Sequence, residues 1–209
     1  MEAIVKKYQQ KFRKIKEEMN RWDELQFRLV SQFRNACSVI ERLPVIQDSK
    51  NFGNLKSVGG IEVAVLRKQM ESLQTILLSM KKTLEDFHGI VLYLEKIHRD
   101  GRQLVKGGSN QLTVVQLHQR MGVKPRLADC IDGLMLLSDM HNSEYLLKLS
   151  LVSALSTLAL KPSTSDLGSL QQLLVDQPNI PREEGCGRSE LMGKAKWHVL
   201  GYILYDMIS

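Results

Sequence analysis

Residues 8–43, YQQKFRKIKEEMNRWDELQFRLVSQFRNACSVIERL, decide the fold. Stepping alternately by four and three from Tyr8 gives Phe12, Ile15, Met19, Trp22, Gln26, Leu29, Phe33, Ala36, Ile40 and Leu43, and ten of these eleven positions are apolar. With 3.6 residues per helical turn, that spacing gathers the apolar side chains into one narrow stripe facing a partner helix, as in a coiled coil. At 1.5 Å per residue the helix runs roughly 50 to 55 Å. Pro44 is expected to end it, because its ring lacks a backbone N–H and clashes with the preceding turn.

The pattern restarts at Val63. Leu66, Met70, Leu73, Leu77, Met80, Leu84, Phe87, Val91, Leu94 and His98 again step by three and four, and only the last is polar. The intervening 44–60, PVIQDSKNFGNLKSVGG, is rich in turn-forming residues and closes on Gly59-Gly60, as a connection between antiparallel helices does. Two long helices of matching length are therefore expected to form a hairpin. A second row on the second helix, Ile76, Thr83, Ile90 and Ile97, widens its apolar face beyond a two-stranded seam and calls for a further helix.

Downstream, GRQLVKGGSNQ (101–111) reads as a basic, glycine-rich linker and LTVVQLHQRMG as a short helix. Lys124-Pro125 restarts the chain with proline at a favourable first-turn position. From Arg126 to about Leu160 no proline intervenes, and Leu127, Ile131, Leu134, Leu137, Leu146, Leu149, Val152 and Leu155 supply the apolar surface of a third long helix. Ser165 or Asp166 is placed to cap the short helix DLGSLQQLLVD, and Gln177-Pro178 stops it. From Gly185 onward the chain turns glycine-rich and then apolar and aromatic, readable as a last core helix or as an exposed tail that needs a partner. The expected fold is all-α, without strands: a long antiparallel coiled-coil hairpin over 1–100, a C-terminal helical region over 101–181, and a divergent tail over 182–209.

Composition agrees. In 209 residues, 43% are hydrophobic and only 6% aromatic, which fits one ordinary globular domain or two small ones and favours helices over sheets. No apolar run reaches the roughly 20 residues needed to cross a bilayer, and MEAIVKKYQQKFRK holds no hydrophobic signal core, so an intracellular protein, nuclear or cytoplasmic and without membrane contact, is expected. Cys37, Cys130 and Cys186 are too few and too scattered for a disulfide framework. The net charge of +6 is locally concentrated, because residues 1–16 hold six Lys/Arg against one acid.

Chemistry is harder to find. There is neither a CxxC nor an HExxH arrangement, so no metal and no cofactor is expected. The stretch from Gly187 to Gly193-Lys194 misses the phosphate-loop spacing by one residue and has Ala195 where a hydroxyl is required. Asp129 and Asp132 beside Cys130 would raise a thiol pKa, not lower it. Paired acids such as Glu17-Glu18 and Glu85-Asp86 flank the seams as solvating charges. No catalytic residue is assigned, and the chain is read as a binding protein, not an enzyme.

The candidate partner-binding residues are the seam side chains Phe12, Ile15, Met19, Trp22, Leu29, Phe33, Leu73, Leu77, Met80, Leu84 and Phe87, with Leu146 and Leu147 on the third long helix. Their burial against helices of protein partners would drive association. Gln26, the lone polar residue of the first seam, is a candidate register residue. Lys6, Lys7, Lys11, Arg13, Lys14 and Lys16 form a candidate basic patch able to follow a phosphate backbone. Tyr8 and Phe12 lie on the packing seam and are not free to stack on bases, so direct contact with RNA or DNA ranks below protein docking. A homo-oligomeric coiled-coil scaffold is the remaining alternative.

Several short stretches also carry a resemblance: Trp22-Asp23-Glu24-Leu25, then Thr83-Leu84-Glu85 with Leu94-Glu95-Lys96-Ile97, then Asp139-Met140, Glu144 and Leu146-Leu147-Lys148, followed by Asp166-Leu167 and Gln177-Pro178. Their order resembles that of the cyclin-dependent kinase 2-interacting protein family, with no match from Gly185 onward. The resemblance implies a non-catalytic helical nuclear adaptor that serves replication and genome-maintenance factors, within a kinase-linked or AAA ATPase assembly connected to ribosome maturation.

Overall fold

The computed structural model describes residues 2–107, 112–120 and 124–180, with Gly201, Ile203 and Met207 beyond them. Among the described residues, five α-helices have defined bounds, in order α1 (Glu2–Gln47), α2 (Ile61–Lys106), α3 (Val114–His118), α4 (Leu127–Leu158) and α5 (Thr164–Asp176), with a 3₁₀ segment at Ser49–Ser57. The fold is all-α, with no β-strand among the described residues. Nor is any described helix long and apolar enough to cross a membrane.

α1 and α2 have 46 residues each, matching in length as their seams require. Their boundaries lie further out than expected. Pro44 sits inside α1, because the missing N–H removes a single bond so near the end that one more turn closes, its own carbonyl accepting from Asp48 N at 3.2 Å. Gly101, expected in a linker, belongs to α2, which continues to Lys106. A Cβ at Gly101 would lie 2.8 Å from Leu134 Cδ1 and 3.6 Å from the Tyr8 ring, so this glycine marks a close approach and not a flexible joint. α5 also starts earlier than expected, since Ser163, not Ser165 or Asp166, caps it by accepting from Asp166 N.

The chain divides into two compact units. Unit 1 comprises Met1–Asp23, His88–Glu144 and Pro178–Ser209; unit 2 comprises Glu24–Phe87 and Tyr145–Gln177. In unit 1 the Tyr8 hydroxyl donates to the Gly101 carbonyl at 2.8 Å, and Lys11 Nζ lies 3.7 Å from Asp100. In unit 2, Gln32 Nε2 donates to Ser79 Oγ at 2.8 Å and Arg28 lies 3.9 Å from Asp86. Within each unit the contact positions on α2 fall as those on α1 rise, so the two helices run antiparallel.

The seams form the cores, except at the start of the second, where Val63 and Met70 are exposed. Val5, Tyr8, Phe12, Ile15 and Trp22 are buried in unit 1 with Ile90, Val91, Leu94 and Ile97; Leu29, Phe33, Ala36, Ile40 and Leu43 are buried in unit 2 with Leu73, Met80, Leu84 and Phe87. Burying a side chain of the Leu, Ile or Phe class contributes about 1.5–3 kcal/mol. The second row is buried at Thr83, Ile90 and Ile97, and α4 is the long helix that each unit adds to the α1–α2 pair.

α4 holds the main surprise. Apart from Ser138, its buried side chains, Leu127, Cys130, Leu134, Leu137, His141, Glu144, Lys148, Leu151 and Leu155, step by three and four. The apolar residues expected to face inward coincide with this row only at Leu127, Leu134, Leu137 and Leu155, because His141, Glu144 and Lys148 continue it with polar side chains, and Leu146 is 53% exposed. Of the tail, Ile203 and Met207 are buried. Apart from Gly201, the rest of it, including Cys186, His198 and the Gly187–Lys194 stretch, lies outside the described residues.

Candidate functional site

The basic patch expected on α1 divides on folding. Lys7, Lys11 and Lys14, spaced by four and three, share one helix face and line an open groove of about 580 Å³ in unit 1; Lys6, Arg13 and Lys16 do not line it. α2 supplies Lys96, Tyr93, Asp100 and Gln103 to the same groove. Lys96 was missed from sequence because it lies more than eighty residues from the α1 lysines, in a stretch whose charges balance. Only the antiparallel pairing brings it alongside them. Among the described residues of the lining, Asp100 is the one carboxylate. Burial, with Glu18, Glu17 and Asp100 nearby, pushes the Tyr93 phenol above its ordinary range, so it stays a neutral hydrogen-bond donor.

The partner-binding candidates are placed differently. Phe12, Ile15, Trp22, Leu29, Phe33, Leu73, Met80, Leu84 and Phe87 are buried within the chain's own units, Met19, Leu77 and Leu147 are half-buried, and Leu146 is exposed. Intramolecular packing therefore occupies most of the seam. The large apolar side chains that unit 2 leaves in water include Phe27 on α1, Leu146 on α4 and Leu173 on α5.

Gln26 has a definite task. Buried on the α1 seam, its Nε2 donates to the Leu174 carbonyl at 2.7 Å. Leu174 lies in the last turn of α5, where carbonyls lack an intrahelical donor, so Gln26 satisfies one and ties α5 to α1 inside unit 2. The buried polar residues of α4 act in a similar way. In unit 2, Lys148 Nζ donates to Gln177 Oε1 at 3.3 Å and stands 5.4 Å over the Phe87 ring, while Gln177 takes the left-handed conformation (φ 46°) that ends α5. In unit 1, His141 meets Trp22 edge-on with ring centroids 4.7 Å apart, and its Nδ1 donates to the Leu137 carbonyl at 2.8 Å. Glu144 Oε2 accepts from both the backbone N and the side-chain Nδ2 of Asn179, each at 3.2 Å. The Lys148 and Glu144 bonds and the Trp22–His141 ring contact tie α4 to neighbouring elements, whereas the His141–Leu137 bond lies within α4.

Burial and the neighbouring Asp129 push the Cys130 thiol up to about 12; burial and Glu41 push Cys37 up to about 11. Neither is a thiolate at neutral pH, which removes their nucleophilicity. Among the described residues, no three His, Cys, Asp or Glu side chains are grouped to hold a metal ion.

A family model, ribosome biogenesis protein C1orf109-like, matches residues 2–187. The chain belongs to that family. No curated protein matches it. Membership of the C1orf109-like family overturns the resemblance to the cyclin-dependent kinase 2-interacting protein family. Many residues that carried the resemblance, Trp22, Leu25, Thr83, Leu84, Leu94, Ile97, Glu144, Lys148, Leu167 and Gln177, are buried. They report the demands of packing long helices, which unrelated helical proteins share. The expectations of replication, genome-maintenance, kinase-linked and AAA ATPase partners rested on that resemblance and lose its support.

Proposed function

We propose that the chain serves ribosome biogenesis, in the nucleus or nucleolus, as a non-catalytic helical subunit that binds proteins of a maturing particle. The family match over residues 2–187 carries the reading. Two features of the chain support binding as its means. Its chemically active side chains in the interior, His141, Glu144 and Lys148, are engaged in contacts with neighbouring elements, and its two described thiols are held neutral. Meanwhile Phe27, Leu146 and Leu173 keep 81%, 53% and 43% of their surface in water, and each contributes about 25 cal/mol per Å² of apolar surface if a partner covers it. Docking by α4 and α5 onto partner helices uses burial for affinity and flanking charge for choice of partner.

Depletion of the protein from cells is the test, read by gel analysis of precursor ribosomal RNA and by gradient sedimentation of pre-ribosomal particles. The expected result is accumulation of unprocessed precursor, with the wild-type chain sedimenting among particles far larger than itself. Leu146→Asp with Leu173→Asp shifts the chain to light fractions while leaving its helical circular dichroism unchanged. Normal precursor processing after depletion contradicts the assignment.

A further inference from the structure

We propose that the groove between α1 and α2 in unit 1 seats the backbone of an unpaired nucleic-acid strand, RNA in this setting, a choice that rests on the ribosome-biogenesis reading above. Four lysines enter the groove against one carboxylate. Lys7, Lys11 and Lys14 form a row with neighbours about 5–6 Å apart at Cβ, an interval suited to successive phosphates of an extended strand. Lys96 adds a cation from the other helix, so the strand is held by both α1 and α2. Lys7, Lys14 and Lys96 are exposed, while Lys11 is anchored by Asp100 at 3.7 Å.

The rest of the lining fits a strand better than it fits an acidic peptide. Gln10 and Gln103 offer amides that both donate and accept, matching sugar hydroxyls and base edges. Tyr93 supplies a half-buried aromatic ring on the lining, the kind of surface on which an unpaired base stacks. The lysines thus take the backbone and the ring takes the base. Sequence alone set Tyr8 and Phe12 aside as unavailable for stacking, and the aromatic that is available comes from the other helix.

The test uses the full chain and fluorescence anisotropy with a labelled, mixed-sequence RNA of about twelve nucleotides, within the range of lengths that such grooves accommodate. Neutralising four phosphates on a single strand gives a log-log salt slope of about −2.8, or roughly fiftyfold weaker binding between about 50 and 200 mM salt. Lys7→Gln, Lys14→Gln and Lys96→Gln together reduce the slope to about −0.7, and Tyr93→Leu weakens binding about fivefold or more with the slope unchanged. Lys6→Gln, Arg13→Gln and Lys16→Gln remove the same charge outside the groove and leave slope and affinity near wild type. All these positions are on the surface or half-buried, and circular dichroism checks that each variant stays helical.

Equal losses from the two triple variants overturn the groove, as does displacement of RNA by polyglutamate at matched charge. Absence of RNA binding at about 50 mM salt also overturns it, while leaving the ribosome-biogenesis reading intact. DNA of the same sequence bound more tightly than RNA, with the same dependence on Lys7, Lys14 and Lys96, upholds the groove and counts against the ribosomal setting.

Discussion

Lys148 is fully buried on α4, where the Gln177 amide oxygen accepts from its Nζ and the Phe87 ring lies beneath it. A hydrogen bond to a buried charge is worth more than one between neutral groups, so Gln177→Ala is expected to cost about 1.5–3 kcal/mol in urea unfolding. An unchanged midpoint would mean the bond contributes nothing. The thiols make a second prediction. Burial holds Cys37 and Cys130 protonated, up to about 11 and about 12, above the unfolded value of about 8.5, so the stability they confer is complete below that value and is lost as pH rises through the folded ones. Urea midpoints are expected to fall progressively above about pH 9. With Cys186→Ser as background, a thiol reagent at pH 8 should modify neither cysteine in the native chain and both in denaturant. Rapid labelling of the native chain contradicts their burial.

At the scale of the element, Gln26 separates two accounts of a polar seam residue. If it served register alone, Gln26→Leu would raise stability by completing an apolar seam. Because its amide satisfies the Leu174 carbonyl at the end of α5, leucine is expected instead to strand a buried acceptor, costing about 1–3 kcal/mol, with faster hydrogen exchange concentrated in α5. Slower exchange in α5 contradicts the assignment. The legibility of the helices follows the same logic. α1 and α2 could be read because ten of eleven positions in each seam are apolar, a signal that local breaks cannot hide. α4 could not, because His141, Glu144 and Lys148 continue its buried period with polar side chains, while Leu146 and Met135 place apolar ones in water. A period traced by residue type loses such a helix, and one traced by spacing alone keeps it. Pro44 and Gly101 have the residue types of helix breakers, yet in place one lets its helix run a turn further and the other makes room for Leu134 and Tyr8.

For the molecule as a whole, composition and two seams were enough for the all-α class, but the groove was not legible. Its α1 wall could be read from Lys7, Lys11 and Lys14, whereas Lys96 and Tyr93 become neighbours of that wall only through the antiparallel pairing. The family was misjudged because motifs made of core residues describe how helices pack and not what they serve. The account's central claim is that the seam beginning at Tyr8 is this chain's own core. It is tested most directly by urea unfolding of the isolated chain carrying Phe33→Ala, followed at two protein concentrations. Removing a fully buried phenyl ring should lower stability by about 3–5 kcal/mol, with a midpoint independent of concentration. An unchanged midpoint, or one that climbs with concentration, would place the seam at an interface between molecules and contradict the account.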